Sequence, residues 1–122
     1  MSAVNKPVVL VIDDDPHVCH VVARLISRAD AARVLCADCA AAARALLAQE
    51  EVDVVLCDYS MPGEDGLSLL TSVAESHPAA RRILYSGALP EDLDAAGHPA
   101  VDAFLVKPAP TRELLEAVFA GR

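Results

Sequence analysis

Asp13, Asp14 and Asp15 stand directly after the apolar run VVLVI, Asp58 after VVLC, Ser86 after ILY and Lys107 after AFLV. A single aspartate in such a place is an ordinary polar terminus. Four run ends that together offer carboxylates, a hydroxyl and an ammonium fit that bland reading poorly. Like charges about 4 Å apart near a protein surface repel by about 4 kcal/mol at an effective dielectric of about 20. Carboxylates brought together therefore take up a proton or hold a cation. Carboxylates with a backbone carbonyl and waters form an oxygen-only shell, which suits Mg²⁺. Lys107 can offset the remaining charge and grip a phosphoryl group as a point donor. Such a set is equipped to place a phosphoryl group on a carboxylate, with metal and lysine neutralising charge on the transferred group. The candidate nucleophile is the carboxylate that stands alone after its run, Asp58.

This chemistry requires the run ends to share one rim, and the rest of the pattern provides for that. Apolar runs alternate with helical patterns along the whole chain. Val8–Ile12 reads as a strand, with Asp15 as N-cap and Pro16 as first residue of a helix whose apolar face is Val18, Val21, Val22, Leu25, Ile26 and Ala29. Arg33–Cys36 is a second strand before an alanine-rich helix from about Cys39 to Gln49. Val52–Cys57 is a third, and its helix from about Asp65 to Ser76 stops at His77-Pro78. Arg82–Tyr85 precedes a weak fourth helix over Glu91–Ala96, ended by Gly97 and Pro99. Ala103–Val106 is the fifth strand, and Thr111 caps a last helix carrying Leu114, Leu115, Val118 and Phe119. Strict alternation implies a parallel sheet with helices on both faces. Ligands then bind beyond the carboxyl ends of the strands, near the switch in strand order.

Composition narrows the alternatives. A length of 122 residues suits a single domain spanning 1–122, and 54% hydrophobic residues argue against disorder. A net charge of −8 and a pI near 4.7 argue against direct binding to nucleic acid or anionic lipid. No apolar run approaches a membrane span, and MSAVNKPVV lacks the core of a signal peptide, so a cytoplasmic protein is expected. In that setting the four cysteines are expected as reduced thiols. Cys36-Ala-Asp-Cys39 is a CxxC at a strand-to-helix junction, where a redox pair would sit, but a redox fold would leave the aspartates and Lys107 unexplained. Cys36 and Cys39 are therefore read as small structural residues, and Cys57 as core. His17, Cys19 and His20 match no tetrahedral zinc spacing.

VLVIDDDP, LCDYSMPGEDG, ILYSG and FLVKP, in this order and spread from Val8 to about Phe119, resemble the receiver domain of bacterial two-component response regulators. The resemblance implies an α/β fold, a flavodoxin-like doubly wound (βα)5 three-layer sandwich whose parallel five-stranded sheet has the order 2-1-3-4-5. It implies that Asp58 is the phosphoacceptor and that Asp13 and Asp14 bind Mg²⁺, Asp14 being the direct ligand of that pair. Asp58 and the backbone carbonyl of Ser60 would complete the protein's share of the metal shell. Ser86 corresponds to the hydroxyl that hydrogen-bonds the phosphoryl oxygen, and Lys107 to the family lysine, with Lys107-Pro108 as a cis peptide bond. Met61-Pro62 and Gly66 correspond to the loop after the phosphorylated residue. Ser86 and Phe104 would form the switch that remodels the face of the fourth helix, fifth strand and fifth helix.

The implied partners are a sensor histidine kinase or histidine phosphotransfer protein, docking near Pro16, His17, Val18, Ala109 and Pro110, and a downstream output domain or protein. The implied state is a monomer or weak homodimer. No external substrate is turned over, so the module is no enzyme beyond its own phosphorylation and dephosphorylation. Departures from the family pattern fall on the output side: Gly87 for the usual alanine, Ala109-Pro110 after the lysine, and the irregular stretch EDLDAAGHPAVDA. Two rivals remain open on sequence. A haloacid-dehalogenase-like phosphatase would use Asp13 of a DxD motif as nucleophile, but leaves Asp58 without a role. A degenerate receiver used only for docking would not need the complete acidic set.

Overall fold

VVLVI and VVLC are apolar on both faces because both strands lie in the interior of the sheet, covered on each side. The computed structural model describes residues 6–28, 32–87 and 97–120. Strands β1 (Val8–Ile12), β2 (Arg33–Ala37), β3 (Val54–Cys57), β4 (Arg81–Ser86) and β5 (Ala103–Val106) form one sheet in the order β2-β1-β3-β4-β5. Every pairing is parallel. Helices α1 (Pro16–Arg28), α2 (Ala40–Gln49), α3 (Gly66–Ser76) and α4 (Thr111–Phe119) cover it. The molecule thus has the flavodoxin-like doubly wound fold and strand order expected from the resemblance. The helix expected over Glu91–Ala96, and Ala29 of the first helical face, lie outside the described residues.

Period-2 alternation divides the core into two layers. Leu10, Ile12, Val55, Cys57 and Leu84 point to one side and pack with Ala43 and Leu47 of α2 and with Leu69, Leu70 and Val73 of α3. Val9, Val11, Val54, Leu56 and Ile83 point to the other, against Val22 and Ile26 of α1 and Leu114 and Val118 of α4. Chain winding reverses between β1 and β3, which places the switch point between the carboxyl ends of those two strands.

Local signals explain most of the boundaries. Asp15 caps α1, its Oδ1 accepting the His17 N–H at 2.9 Å, and Pro16 follows in the first helical position. Asp65 caps α3 through Ser68 N–H at 2.7 Å, and that helix ends at Ser76, before His77-Pro78. None of the described helices is long and apolar enough to cross a membrane.

Several expectations need correction. β3 starts at Val54 rather than Val52: the chain bends at Asp53, whose backbone still bonds Val8 and Arg81 at 2.9 Å while its carboxylate takes the Val8 N–H at 2.8 Å. β2 runs one residue further, to Ala37, and β4 spans Arg81–Ser86, so Ser86 is the last strand residue rather than the first loop residue. On α1, Val21 is 41% exposed and Cys19 takes its place in the core at 6%. Thr111 does not cap α4. Pro110 holds the cap position, its carbonyl accepting the Leu114 N–H at 3.0 Å, and no side chain closes that end.

Candidate functional site

Parallel pairing of β1 with β3 carries Asp13 and Asp58 out of the sheet at neighbouring strand ends. The ladder continues one residue past the strands: Asp58 N–H donates to the Ile12 carbonyl at 2.9 Å, and Asp13 N–H to the Ala37 carbonyl at 3.0 Å. Both backbones are fixed before either side chain does anything. Asp13 and Asp58 are buried, at 3% and 8% exposure, while Asp14 is exposed. Carboxylate oxygens of Asp13, Asp14 and Asp58 all lie within 4.8 Å of one another. Asp13 also accepts the Asp15 N–H at 2.8 Å through Oδ1, which turns the chain into α1 and leaves Oδ2 for the rim.

Lys107 enters from the end of β5. Its Nζ donates to Asp13 Oδ2 at 2.5 Å and lies 3.6 Å from Asp58 Oδ2. Its backbone N–H bonds the Ser86 carbonyl at 3.1 Å, tying the β4 and β5 ends together, and the Lys107-Pro108 bond is cis. Burial works against the ammonium, but the hydrogen bond and charge of Asp13, with Asp58 adding to both, outweigh it and raise the lysine pKa. The ammonium also sits 5.4 Å from the centre of the Tyr85 ring. Sequence reasoning assigned nothing to Tyr85; its signal was an aromatic on β4 two positions before the loop, beside a strand that is followed by lysine. Three carboxylates against one ammonium leave a formal excess of negative charge in an oxygen-only donor set, which fits a hard divalent cation.

Ser86 is 2% exposed at the same sheet end. Phe104 is half-buried, pairs with Leu84 and packs on the α2–α3 layer, so it shares a sheet face with Ser86 two residues further on. Ser60 and Met61, in the loop after Asp58, line a hollow with Asp14. Gly63 turns that loop with φ +88°, a backbone region that L side chains rarely adopt. Gly66 is obligatory for a different reason: a Cβ there would overlap the Asp58 carbonyl. Its N–H instead bonds the Tyr59 carbonyl at 2.8 Å and draws α3 against the back of the acidic site. Arg44 of α2 holds the loop from outside through two bonds to Glu64 at 2.7 and 2.8 Å. That guanidinium lowers the Glu64 pKa.

Two features were not foreseen. Cys19 and Cys36 are joined as a disulfide, with Cα atoms 6.1 Å apart, where reduced thiols were expected. The reason is topological: α1 crosses back over β2, bringing a core-facing helix residue to the sheet edge. Cys57 is buried as expected, and burial raises its thiol pKa, with the charge of Asp58 adding. At the opposite end of β4, Arg82 is 9% exposed and donates to the carbonyls of Ala100 at 3.0 Å and Ala80 at 2.9 Å. An arginine inside a strand run gives no warning of that role.

Comparison with known proteins gives consistent results. The model of the response regulator receiver domain family matches residues 9–119. The hydrogenase transcriptional regulatory protein HoxA of Cupriavidus necator is 36% identical over 116 residues, covering 93% of this chain and 24% of that protein. The signal receiver domain of an HD domain-containing protein from Pseudomonas fluorescens superimposes with a TM-score of 0.85 at 30% identity, over 93% of this chain and 91% of that one. The response regulator protein TrrA of Thermotoga maritima, solved in complex with Mg(2+)-BeF, superimposes with a TM-score of 0.81 over 93% and 96% of the two chains. At 24% identity the TrrA likeness concerns the fold alone. The chain spans less than half the length of the first curated relatives it matches.

Proposed function

This chain belongs to the response regulator receiver domain family, and we propose from that premise that Asp58 is its phosphoacceptor in a two-component phosphorelay. The donor is a phosphohistidine on a sensor histidine kinase or histidine phosphotransfer protein. One observation carries the reading: three carboxylates within 4.8 Å of one another, with the Lys107 ammonium against two of them, at the carboxyl ends of the central strands.

Asp13, Asp14 and Asp58, with the Ser60 carbonyl, would hold Mg²⁺. Bound there, the ion supplies positive charge to the oxygens of the transferring group. An Asp58 oxygen attacks phosphorus, the phosphorus–nitrogen bond to histidine breaks, and the imidazole leaves with the electron pair. Lys107 is held by Asp13 close enough to Asp58 to meet a second phosphoryl oxygen as a point charge. Ser86 donates its hydroxyl to a third. Movement of Ser86 toward the phosphoryl group opens space on the sheet face it shares with Phe104, and the aromatic ring fills it. Phe104 has no hydroxyl, so packing alone reports the state to a downstream output domain or protein. Water later hydrolyses the acyl phosphate, and no external substrate is turned over.

The test is incubation with acetyl phosphate and Mg²⁺, followed by mass mapping of the modified residue. The expected adduct is labile, sits on Asp58 and vanishes in Asp58→Asn. An adduct on Asp13 with repeated turnover would instead indicate a phosphatase, and no adduct at all a docking module.

A further inference from the structure

The Cys19–Cys36 bond joins elements that the phosphoryl chemistry does not itself use. Cys19 lies on α1 within one turn of Pro16, buried at 6% exposure. Cys36 lies on β2, the edge strand, and is exposed. Both cysteines line a surface hollow with Asp13, Pro16, His20 and Asp38, so an external thiol can approach the bond, and an accessible disulfide belongs to the labile, regulatory kind. Both core layers are lined by aliphatic side chains from other positions on every strand, so the sheet does not depend on this bond for closure. Its location is specific. Ala37, next to Cys36, supplies the carbonyl that seats the Asp13 backbone, and Pro16, three residues before Cys19, follows the acidic run. The bond therefore clamps both sides of the Asp13–Asp15 turn.

We propose that Cys19 and Cys36 are a reversible dithiol–disulfide pair that gates phosphorylation of Asp58, an inference that rests on the phosphoacceptor reading above. In the opening direction, a thiolate of an external dithiol reductant attacks Cys36 Sγ. The Cys19–Cys36 bond breaks, and Cys19 leaves as a thiolate and takes a proton. The second thiolate of the reductant then displaces Cys36 and closes the reductant's own disulfide. In the closing direction, a low-molecular-weight disulfide accepts the two electrons and departs as two thiols. Closing fixes the start of α1 against β2 and holds the Asp13–Asp14 turn in one position; opening lets α1 shift on the sheet. Cys39, three residues beyond Cys36, stays outside the pair, since its sulfur accepts the Ala42 N–H at 3.4 Å and caps α2.

The experiment equilibrates the folded protein in glutathione buffers of graded oxidation, traps thiols by alkylation and maps them by mass. The two end forms are then phosphorylated with acetyl phosphate and Mg²⁺. Cys19 and Cys36 should convert together while Cys57 stays protected. The initial rate of Asp58 labelling should differ by about 5-fold or more between the forms, the lower range of coupling between sites. Cys36→Ser should show the reduced-form rate in every buffer. A pair that resists reduction until the protein unfolds, or a mapped Cys36–Cys39 bond, overturns the proposal. Equal labelling rates in the two forms overturn the gate while leaving the phosphoacceptor reading standing. Absence of labelling in both forms overturns that reading and the gate with it.

Discussion

At the scale of single residues, the acidic site depends on backbone fixation as much as on carboxylate chemistry. Asp13 and Asp58 are each held by a ladder hydrogen bond one residue past their strands, whereas Asp14 stands exposed with its side chain available. Asp14→Asn should therefore weaken Mg²⁺ binding by ~10-fold or more in calorimetric titration while circular dichroism stays unchanged. Unchanged affinity would remove Asp14 from the ligand set. Gly66 makes the converse point, because its indispensable feature is the missing side chain. Gly66→Ala forces a methyl group into the Asp58 carbonyl and should cost about 1–3 kcal/mol in urea unfolding, as overpacking does. The acidic residues were legible in sequence because each follows an apolar run. Tyr85 beside Lys107 was not, because it looks like one more buried strand residue until the β4–β5 pairing is known.

At the scale of elements, strands and caps were legible where a local signal dominates and obscure where a partner from elsewhere decides. Asp15 and Asp65 announce α1 and α3, and Asp65→Ala should cost ~1 kcal/mol through loss of the Ser68 N–H bond. At the bend before β3 the Asp53 carboxylate bonds the Val8 N–H, 45 positions away, which no window along the chain could reveal. The clamp between Arg44 and Glu64 is also non-local, and it gives a pH signature. Arg44 lowers the Glu64 pKa in the folded state, so the stabilisation is present above the ordinary value of 4.5 and fades as pH falls through the lowered one. Because the pair is largely exposed, its worth is ~1 kcal/mol or less. The difference in melting temperature between the native chain and Glu64→Gln should accordingly be small at neutral pH and disappear well below pH 4.5.

At the scale of the whole molecule, alternation of apolar runs and helical patterns sufficed for the layer architecture, while the cross-link between layers had no sequence signal beyond the presence of cysteines. Cys19 and Cys36 are 17 positions apart, and a disulfide closing a loop of that size contributes about 3 kcal/mol in the chain-entropy model. Reductant should therefore lower the melting temperature of the native chain and leave that of Cys36→Ser unmoved, as read by differential scanning calorimetry. The same view separates two poles of the sheet. Acidic chemistry occupies the carboxyl ends of the strands, whereas Arg82, bonded to Ala80 and Ala100 and facing Asp102, organises the other end. A fluorophore, surface tether or fused reporter attached beside the exposed Pro78 and Ala79 would thus ride on the pole away from the acidic cluster and leave approach by the proposed phosphoryl donor unobstructed.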